Sequence, residues 1–265
     1  MRLWVAVATM SQERLEALVD NLGVLCNWGF SLIVHTNGVD VEVSSLGARP
    51  SEIYLSTSEQ NIGVTPAYQK MYELFLRNSS EGDIILFVHD DVEFDQSGWD
   101  KRLMKFFEEK SKCAVAGYGG ALGIGDPDIY QTPYKLQQLA RRDFISNMRH
   151  AEAHGRRVDV PTRVAVLDLF AIAARRSFLE EVGGWSWWPH IHHMLDNGLC
   201  LLAHRHGHEV WMLPEKVHHW GGQTSTRVDF LRDFGENEST IHLDGHRTFY
   251  EMFRPELPLM IGEKE

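Results

Sequence analysis

The stretch IILFVHDDVEF, residues 84–94, decides how this chain is organised. Ile84–Val88 is an uninterrupted apolar run, typical of a strand that is buried on both faces of a parallel sheet. One histidine and two aspartates follow it directly, as His89, Asp90 and Asp91. Ligands of open α/β sheets bind beyond the carboxyl ends of the strands. The segment therefore predicts a central strand and the sheet edge at which a site would lie.

Upstream of this stretch, strand patterns alternate with helix patterns. Apolar runs predict strands at 3–8, 30–34 and 53–55. Thr9-x-x-Gln12 fits a capping box for a first helix that ends at Gly23, and Thr65-Pro66 predicts the start of a second helix. The β-α-β-α-β order predicts an open, mainly parallel, twisted α/β sheet flanked by helices in a single large domain.

The second half of the chain is less regular. Residues 117–133 are rich in Gly, Pro and Asp and predict a loop, whereas 164–173 predicts a strand. Ser177-x-x-Glu180 predicts a capped helix that ends at Gly183-Gly184, and leucines at 195, 199 and 202 predict an amphipathic helix that ends at Gly207. A strand is expected at 209–213.

Composition excludes several classes of protein. The 265 residues include 26 basic and 37 acidic side chains, a net charge of −11, which argues against a chain built to grip nucleic-acid phosphates. A hydrophobic content of 43% argues against disorder. Three scattered cysteines argue against a disulfide framework. With no apolar stretch of membrane-spanning length and no signal-peptide pattern, we expect a soluble, cytoplasmic protein.

Two polar clusters could carry chemistry. Acidic groups packed after a buried strand, at 89–93, repel one another unless a cation is present, and carboxylates suit Mg²⁺ or Mn²⁺. A solvated Asp-rich turn is the alternative. The second cluster is His218-His219, followed by Gly221-Gly222; imidazole is a common metal ligand, although neighbouring carbonyls could equally satisfy the pair.

Six segments in this order resemble a family 2 glycosyltransferase with the GT-A nucleotide-sugar-binding fold, over about residues 3–230. They are VAVATMSQERLEALVDNL (5–22), NIGV (61–64), IILFVHDDVEF (84–94), LDLFAIAARRSFLEEVGGW (167–185), MLDNGLCLLAHRHGHEVWMLP (194–214) and HHWGGQT (218–224). The resemblance implies a donor-binding half at 1–115, an acceptor-binding half at 116–235 and a C-terminal extension at 236–265. It also implies a nucleoside-diphosphate sugar, most plausibly a UDP-sugar, as donor, with Mn²⁺ or Mg²⁺ as cofactor.

The resemblance also assigns expected roles to individual residues. It places the metal carboxylate on Asp91, supported by His219 or His218, with His89 and Asp90 facing ribose, phosphate or metal. Asp196 would be the general base of an inverting transfer, although an aspartate there could simply cap a helix. The expected nucleotide contacts are Thr9, Asn37, Asn61, Gly63 and, on a closing loop, Arg227, each with a turn, cap or surface alternative.

A tryptophan-rich loop precedes Asp196. Aromatic faces stack on sugars, so the expected acceptor contacts are Trp185, Trp187, Trp188 and His193, with core packing as the alternative. A basic stretch could receive an anionic acceptor such as a lipid head group or nucleic acid, but an exposed helical face explains it better. It comprises Arg141, Arg142, Arg149, Arg156 and Arg157.

Three departures from the family pattern keep rival hypotheses open. His89-Asp90-Asp91 replaces the usual Asp-x-Asp, Leu195 stands where the first acid of a Glu-Asp pair is usual, and the Gln-x-x-Arg-Trp box of processive enzymes is absent. The rivals are a nucleotidyltransferase and a noncatalytic sugar-binding protein of the same fold. The first β-α loop lacks the glycine-rich character of the former.

Overall fold

The computed structural model describes residues 1–46, 50–125, 144–146, 157–221 and 238–261. The strands in these ranges are β1 (Leu3–Thr9), β2 (Ser31–Asn37), β3 (Glu52–Ser58), β4 (Ile84–His89), β5 (Val92–Phe94), β6 (Cys113–Gly117), β7 (Gly119–Ala121), β8 (Gly123–Ile124), β9 (Phe144–Ser146), β10 (Thr162–Arg163), β11 (Val166–Leu167), β12 (Ala171–Arg175), β13 (Glu209–Met212), β14 (Val217–His219) and β15 (Leu259–Met260). The helices are α1 (Gln12–Leu25), α2 (Val64–Asn78), α3 (Trp99–Glu109), α4 (Arg176–Val182), α5 (Leu195–Arg205) and α6 (Glu238–Phe253).

A mixed, mostly parallel eight-stranded sheet forms the centre of the molecule, in the order β10-β13-β6-β12-β4-β1-β2-β3. Strands β4, β1, β2 and β3 are parallel to one another, and β12 runs antiparallel between β4 and β6. Both halves of the chain thus contribute to one sheet. The predicted open α/β architecture is confirmed, and the carboxyl ends of β1, β2 and β4 meet at one edge.

Strand β4 has the alternation expected of a strand with helices on both faces. Ile85 and Phe87 join the core cluster that contains side chains of α2 and α5, whereas Ile84, Leu86 and Val88 join the cluster with α1 and α3. All five are fully buried. Burying such a side chain is worth about 1.5–3 kcal/mol, so this strand is a rigid support for the polar residues at its end.

Two predicted helix starts in the first half are wrong in detail. Helix α1 is capped by Ser11, whose hydroxyl accepts from the Arg14 amide, and not by Thr9. Thr9 remains in β1 as its last residue, paired with Thr36 of β2, and its hydroxyl donates to the Asp90 carboxylate. Helix α1 also continues past Gly23 to Leu25, and Gly63 rather than Thr65 is the N-cap of α2.

The second half differs more from expectation. The strand predicted at 164–173 is two strands, β11 in a small sheet with β7 and β12 in the central sheet. The chain crosses between the two sheets at Asp168, whose carboxylate accepts from the Phe170 amide. Helix α4 begins at Arg176 with Arg175 as N-cap, although it ends at Gly183 as predicted. Part of the predicted loop 117–133 is strand, as β7 and β8.

None of the helices in the described ranges is both long enough and apolar enough to cross a membrane.

Candidate functional site

A return of the chain beside the central strand creates the site. After β4 ends at His89, residues 92–94 form β5, which pairs antiparallel with β14. This register sets His219 opposite Val92, so that the imidazole reaches the residues at the end of β4. The amide of Trp220 donates to the Asp91 carbonyl at 3.1 Å and fixes the approach. The two clusters that are separate in sequence therefore form one site.

Three potential metal ligands converge there. His89, Asp91 and His219 each offer one donor atom, and these atoms lie within 4.8 Å of one another. His219 Nε2 is 3.2 Å from Asp91 Oδ1 and 3.4 Å from His89 Nδ1. His218 is not part of this group, because successive side chains of β14 point to opposite faces; its ring contacts Trp220 instead, with 4.1 Å between the ring centres.

The group is partly closed off from water. The His219 ring stacks on Phe170, with an interplanar angle of 14° and 5.0 Å between ring centres, which fixes the orientation of the imidazole. The Nε2 atom of His89 is buried and has no hydrogen-bond partner in the structure. The His89 atom that faces His219 is the other ring nitrogen, Nδ1, at 3.4 Å, so it is Nδ1 that could serve as a ligand atom beside His219 and Asp91.

The pKa values of the three residues are shifted in different directions by burial and by one another. Burial alone would raise the pKa of Asp91, but the hydrogen bond and positive charge of His219 lower it to about 2. Burial would lower the pKa of His219, and its hydrogen bond to Asp91 raises it instead. His89 has its pKa lowered, first by burial and then by His219, so its imidazole is neutral. Neutral imidazole and ionised carboxylate are the forms that bind metals, so His89 and Asp91 are already in those forms, whereas His219 would release its proton on binding.

Asp90 faces away from this group. Its carboxylate accepts a 2.7 Å hydrogen bond from Thr9, and Arg14 lies 3.8 Å away. Burial raises the pKa of Asp90, and the charge of Asp91 adds to that rise while Thr9 opposes it. Asp90 therefore ties the end of β4 to the β1–α1 turn, an arrangement that sequence reasoning did not specify.

Asp196 lies in the first turn of α5 and is held rigidly. The Leu169 amide donates to its Oδ2 at 3.1 Å, and the Asn197 amide donates to its Oδ1 at 2.8 Å. The N-cap of α5 is Met194, so Asp196 does not cap the helix. His193 and Met194 both have positive φ, 58° and 61°, a conformation that non-glycine residues adopt at a cost of about 1–3 kcal/mol each and that clusters at functional sites.

The pKa of Asp196 is raised into the neutral pH range. Burial raises its pKa to about 7, and the nearby charge of Asp168 contributes to the rise. Asp168 also acts on His219, whose pKa it raises, so its charge influences both the base candidate and a metal candidate. Sequence reasoning missed Asp168, because it falls within a run that predicts an ordinary strand.

Tyr68 is a second residue that sequence reasoning missed. Its hydroxyl is buried without a hydrogen-bond partner in the structure, and its ring stacks on Phe87 of β4. Burial raises the pKa of Tyr68, and the charges of Asp90, Asp196 and Asp91 raise it further. The phenol therefore lies among the carboxylates of both parts of the site. A tyrosine on the apolar face of α2 resembles a core residue, and nothing in the sequence separates it from one.

The predicted nucleotide contacts meet at the end of β2. Asn37 donates to Asn61 Oδ1 at 2.8 Å and accepts from the Ile62 amide, and the Gly63 amide also donates to Asn61 Oδ1. The Asn61 Nδ2 atom is buried and without a partner in the structure. Most of this hydrogen bonding serves the turn itself.

The tryptophan-rich loop does not form the expected platform for an acceptor. Trp185 and Trp188 are 0% and 3% exposed and belong to the core, and Trp187 packs against Phe253 and donates to the Gly184 carbonyl. Their large rings gain more by core burial than by facing solvent. His193 is half-buried, with its ring against His192.

An open cavity of about 490 Å³ lies beside the metal-ligand candidates. Its lining includes Arg14, Asn21, Asp90, Asp91, Glu93 and Trp220. Trp220, which is 57% exposed, is the aromatic residue among the described residues that line this cavity. Arg227 and the basic residues 141, 142, 149 and 156 fall outside the described residues, whereas Arg157 is exposed.

Neither a protein-family model nor the sequence of a characterised protein matches this chain. Solved structures do. The chain is similar to GalNAc-T7 crystallised with UDP, GalNAc and Mn²⁺, with a TM-score of 0.55 and 13% identity over 97% of this chain and 51% of that one. It is also similar to S. aureus TarS, with a TM-score of 0.54 and 13% identity over 96% of this chain and 44% of that one.

The fold is that of GT-A glycosyltransferases. The chain spans about half the length of these two glycosyltransferases. Identity of 13% establishes the fold alone, so the resemblance to family 2 in particular stays a prediction.

Proposed function

We propose that this chain is a metal-dependent glycosyltransferase that moves a sugar from a nucleoside-diphosphate sugar to an acceptor hydroxyl with inversion. The observation that carries the proposal is the convergence of His89, Asp91 and His219 at the edge of a GT-A sheet. Asp196 is linked to this group through Asp168, whose charge acts on both Asp196 and His219. The fold supplies the setting, and the site supplies the chemistry.

The donor would lie across the carboxyl ends of β1, β2 and β4. We assign its base and ribose to the turn containing Thr9, Asn37, Asn61 and Gly63, where Asn61 Nδ2 is an unused buried donor. UDP is the nucleotide in the GalNAc-T7 structure, which makes UDP-sugars the first donors to test. Arg227 remains a proposed diphosphate contact.

His89, Asp91 and His219 would hold a divalent cation. When bound, such an ion would neutralise the charge that develops on the departing diphosphate. The protein contributes the positions of the ligands, since the Phe170 stack and the β5–β14 pairing hold His219 in place. Asp90 would remain outside this group and face the ribose or phosphate.

Asp196 would accept the proton of the acceptor hydroxyl. A base works best when its pKa lies near the working pH, and burial together with Asp168 brings the pKa of Asp196 to about 7. Three donors, the backbone amides of Leu169 and Asn197 and the Asn197 side-chain amide, hold the carboxylate still, and only one of them binds Oδ2, which keeps a lone pair for an incoming hydroxyl. Direct attack on the anomeric carbon from the face opposite the diphosphate would invert its configuration.

Tyr68 would direct its hydroxyl at the substrate. Among the described residues it has no partner, yet it lies within the influence of Asp90, Asp91 and Asp196. A donor group in that position can bind a sugar hydroxyl or a phosphate oxygen, which would supply the missing acceptor. The acceptor would approach past His193 and the loop that leads into α5.

The test is release of nucleoside diphosphate from a panel of nucleotide sugars, with divalent metal present. We expect turnover of at least one UDP-sugar, its loss in Asp91→Asn, and its retention in Asp20→Asn, a matched change at an exposed position of α1. Thermal shifts decide between the alternatives. Preference for a nucleoside triphosphate would indicate a nucleotidyltransferase, and sugar binding without turnover would indicate a noncatalytic protein.

A further inference from the structure

We infer that the His89–Asp91–His219 group selects a zinc-class cation, Zn²⁺ or Co²⁺, over Mg²⁺ and Mn²⁺. The inference deepens the proposed function, since it names the ion that the same site would use. It rests on which atoms converge and how far apart they lie.

The donor set is dominated by nitrogen. Two of the three converging side chains are imidazoles, and only Asp91 offers oxygen. Mg²⁺ prefers oxygen ligands in octahedral geometry, whereas imidazole suits Zn²⁺, Ni²⁺ and related ions. For a given site of this kind, affinity also rises from Mn²⁺ through Co²⁺ to Ni²⁺, with Zn²⁺ well above Mn²⁺.

The adjacent aspartate in the sequence, Asp90, does not change that balance. Asp90 is held by Thr9 at 2.7 Å and is near Arg14, so its oxygens face the β1–α1 turn. Turning it into the group would break both interactions. Among the described residues, the group whose ligand atoms lie within 4.8 Å of one another contains one carboxylate, that of Asp91, although the sequence places two consecutive aspartates there.

The spacing of the ligand atoms already suits a zinc-class ion. Donors about 2.0–2.1 Å from such an ion, at angles between octahedral and tetrahedral, lie about 2.8–3.4 Å from one another. His219 Nε2 lies 3.2 Å from Asp91 Oδ1 and 3.4 Å from His89 Nδ1. Two of the three pairs therefore already have the separation of atoms that bind one ion, and the third pair, His89 with Asp91, lies within 4.8 Å.

The surroundings hold both imidazoles in place for this role. His89 is the last residue of β4, its amide donates to the Phe170 carbonyl at 2.9 Å, and its Nδ1 faces His219. Phe170 also stacks on the His219 ring. With three protein ligands, the ion would keep open positions for oxygens of a diphosphate, as catalytic zinc sites keep a position for water or substrate.

The inference is tested by metal binding alone, on the full chain after chelator treatment and without any nucleotide. Competition with a chromophoric chelator would give the affinities for Zn²⁺, Co²⁺, Mn²⁺ and Mg²⁺, and visible absorption of the Co²⁺ complex would report nitrogen ligands. We expect Zn²⁺ and Co²⁺ to bind at least about 100-fold more tightly than Mg²⁺, in line with the ligand preferences of these ions.

Variants locate the effect. We expect His89→Asp to reduce the ratio of Zn²⁺ to Mn²⁺ affinity by about tenfold or more, since it exchanges nitrogen for oxygen. His219→Ala should abolish the Co²⁺ spectrum. His218→Ala, which removes the neighbouring imidazole outside the group, should change neither, and a melting curve for each variant checks that it folds.

Two results would overturn the inference: Mg²⁺ or Mn²⁺ binding as tightly as Zn²⁺, or an affinity order that His89→Asp leaves unchanged. Failure here is distinguishable from failure of the proposed function. Sugar transfer by a protein with no preference for Zn²⁺ would leave the function standing, and His89-dependent Zn²⁺ binding without turnover of any nucleotide sugar would leave the inference standing.

Discussion

His219 Nε2 lies 3.2 Å from Asp91 Oδ1, although the two residues are far apart in the sequence. The contact depends on the pairing of β5 with β14, which sets His219 opposite Val92. Strand β14 alternates its side chains, so His218 points elsewhere and contacts Trp220. The neighbouring histidines therefore have different roles, and the difference can be measured.

We expect His219→Ala to remove stabilisation of the protein by divalent metal and His218→Ala to preserve it. A metal that binds only the folded state stabilises it by RT ln(1 + [L]/Kd), or about 2.7 kcal/mol at 100 times Kd. The measurement is the shift in Tm with and without metal. Equal loss in both variants would contradict the assignment of His219 alone to the group.

Asp196→Asn should abolish transfer and leave donor binding intact. General-base catalysis typically contributes about 10²–10⁴-fold, which is the expected loss in kcat. The two amides that donate to Asp196 can hold an asparagine only in part, so a melting curve accompanies the kinetics. Weakened binding of UDP in the folded variant would instead place Asp196 in the donor site.

The pH profile gives an independent check on Asp196. A base must be ionised to accept a proton, and burial raises the pKa of Asp196 to about 7. The rate should therefore rise as pH increases through about 7 and level off above it. The residual activity of Asp196→Asn should not show this rise in rate through pH 7. If the rise persists in that variant, the titrating group is not Asp196.

The sequence predicted the parts of this molecule that depend on local pattern. The run Ile84–Val88 is apolar because both faces of β4 are covered, so a central strand and the polar edge after it follow directly. The β-α-β-α-β order then fixes which strand ends meet. The fold class was therefore accessible from periodicity and from the order of the segments.

The composition of the metal-ligand group was not accessible in the same way. Whether His218 or His219 approaches Asp91 depends on a long-range strand register, and a shift of one residue would exchange them. Trp185 and Trp188 suggested a sugar platform, but a large ring near the core is buried when space allows. Tyr68 sits at a core position of α2, and what distinguishes it is an unpartnered hydroxyl under the influence of Asp90, Asp91 and Asp196.

Tyr68→Phe should reduce donor turnover while leaving stability equal or slightly higher. The buried hydroxyl has no partner within the described part of the chain, so removing it eliminates a desolvation cost of about 1–3 kcal/mol in the free protein. Removing its bond to substrate should raise KM or lower kcat by about tenfold, the usual worth of one hydrogen bond.

Tyr118→Phe is the matched control for this change. The Tyr118 hydroxyl is also buried without a partner, but its ring packs on Phe94 and its charged neighbours are Glu215, Arg102 and Asp100 rather than the site carboxylates. It should show the same effect on denaturant unfolding and none on kinetics. Equal kinetics for wild type and Tyr68→Phe would show that Tyr68 is a core residue only.

Gly63→Ala should impair both stability and transfer, because Gly63, the N-cap of α2, packs closely against Ile191 in the loop that leads to Asp196. Gly63 has φ +85°, and a Cβ there would lie 2.8 Å from the Ile191 side chain and 2.9 Å from its carbonyl oxygen. That carbonyl accepts from the amides of Val64 and Thr65 at the start of α2, so moving the loop away would break these two hydrogen bonds.

Gly29→Ala isolates the backbone contribution, since Gly29 has φ +95° with nothing within 4 Å of an added Cβ. Urea unfolding should show a loss of about 1 kcal/mol for the control and a larger loss for Gly63→Ala, because overpacking adds about 1–3 kcal/mol. We expect kcat to fall for Gly63→Ala and not for Gly29→Ala, because only the former displaces Ile191 and the backbone that leads to Asp196. Equal kcat values in the two variants would mean that this loop does not position the base.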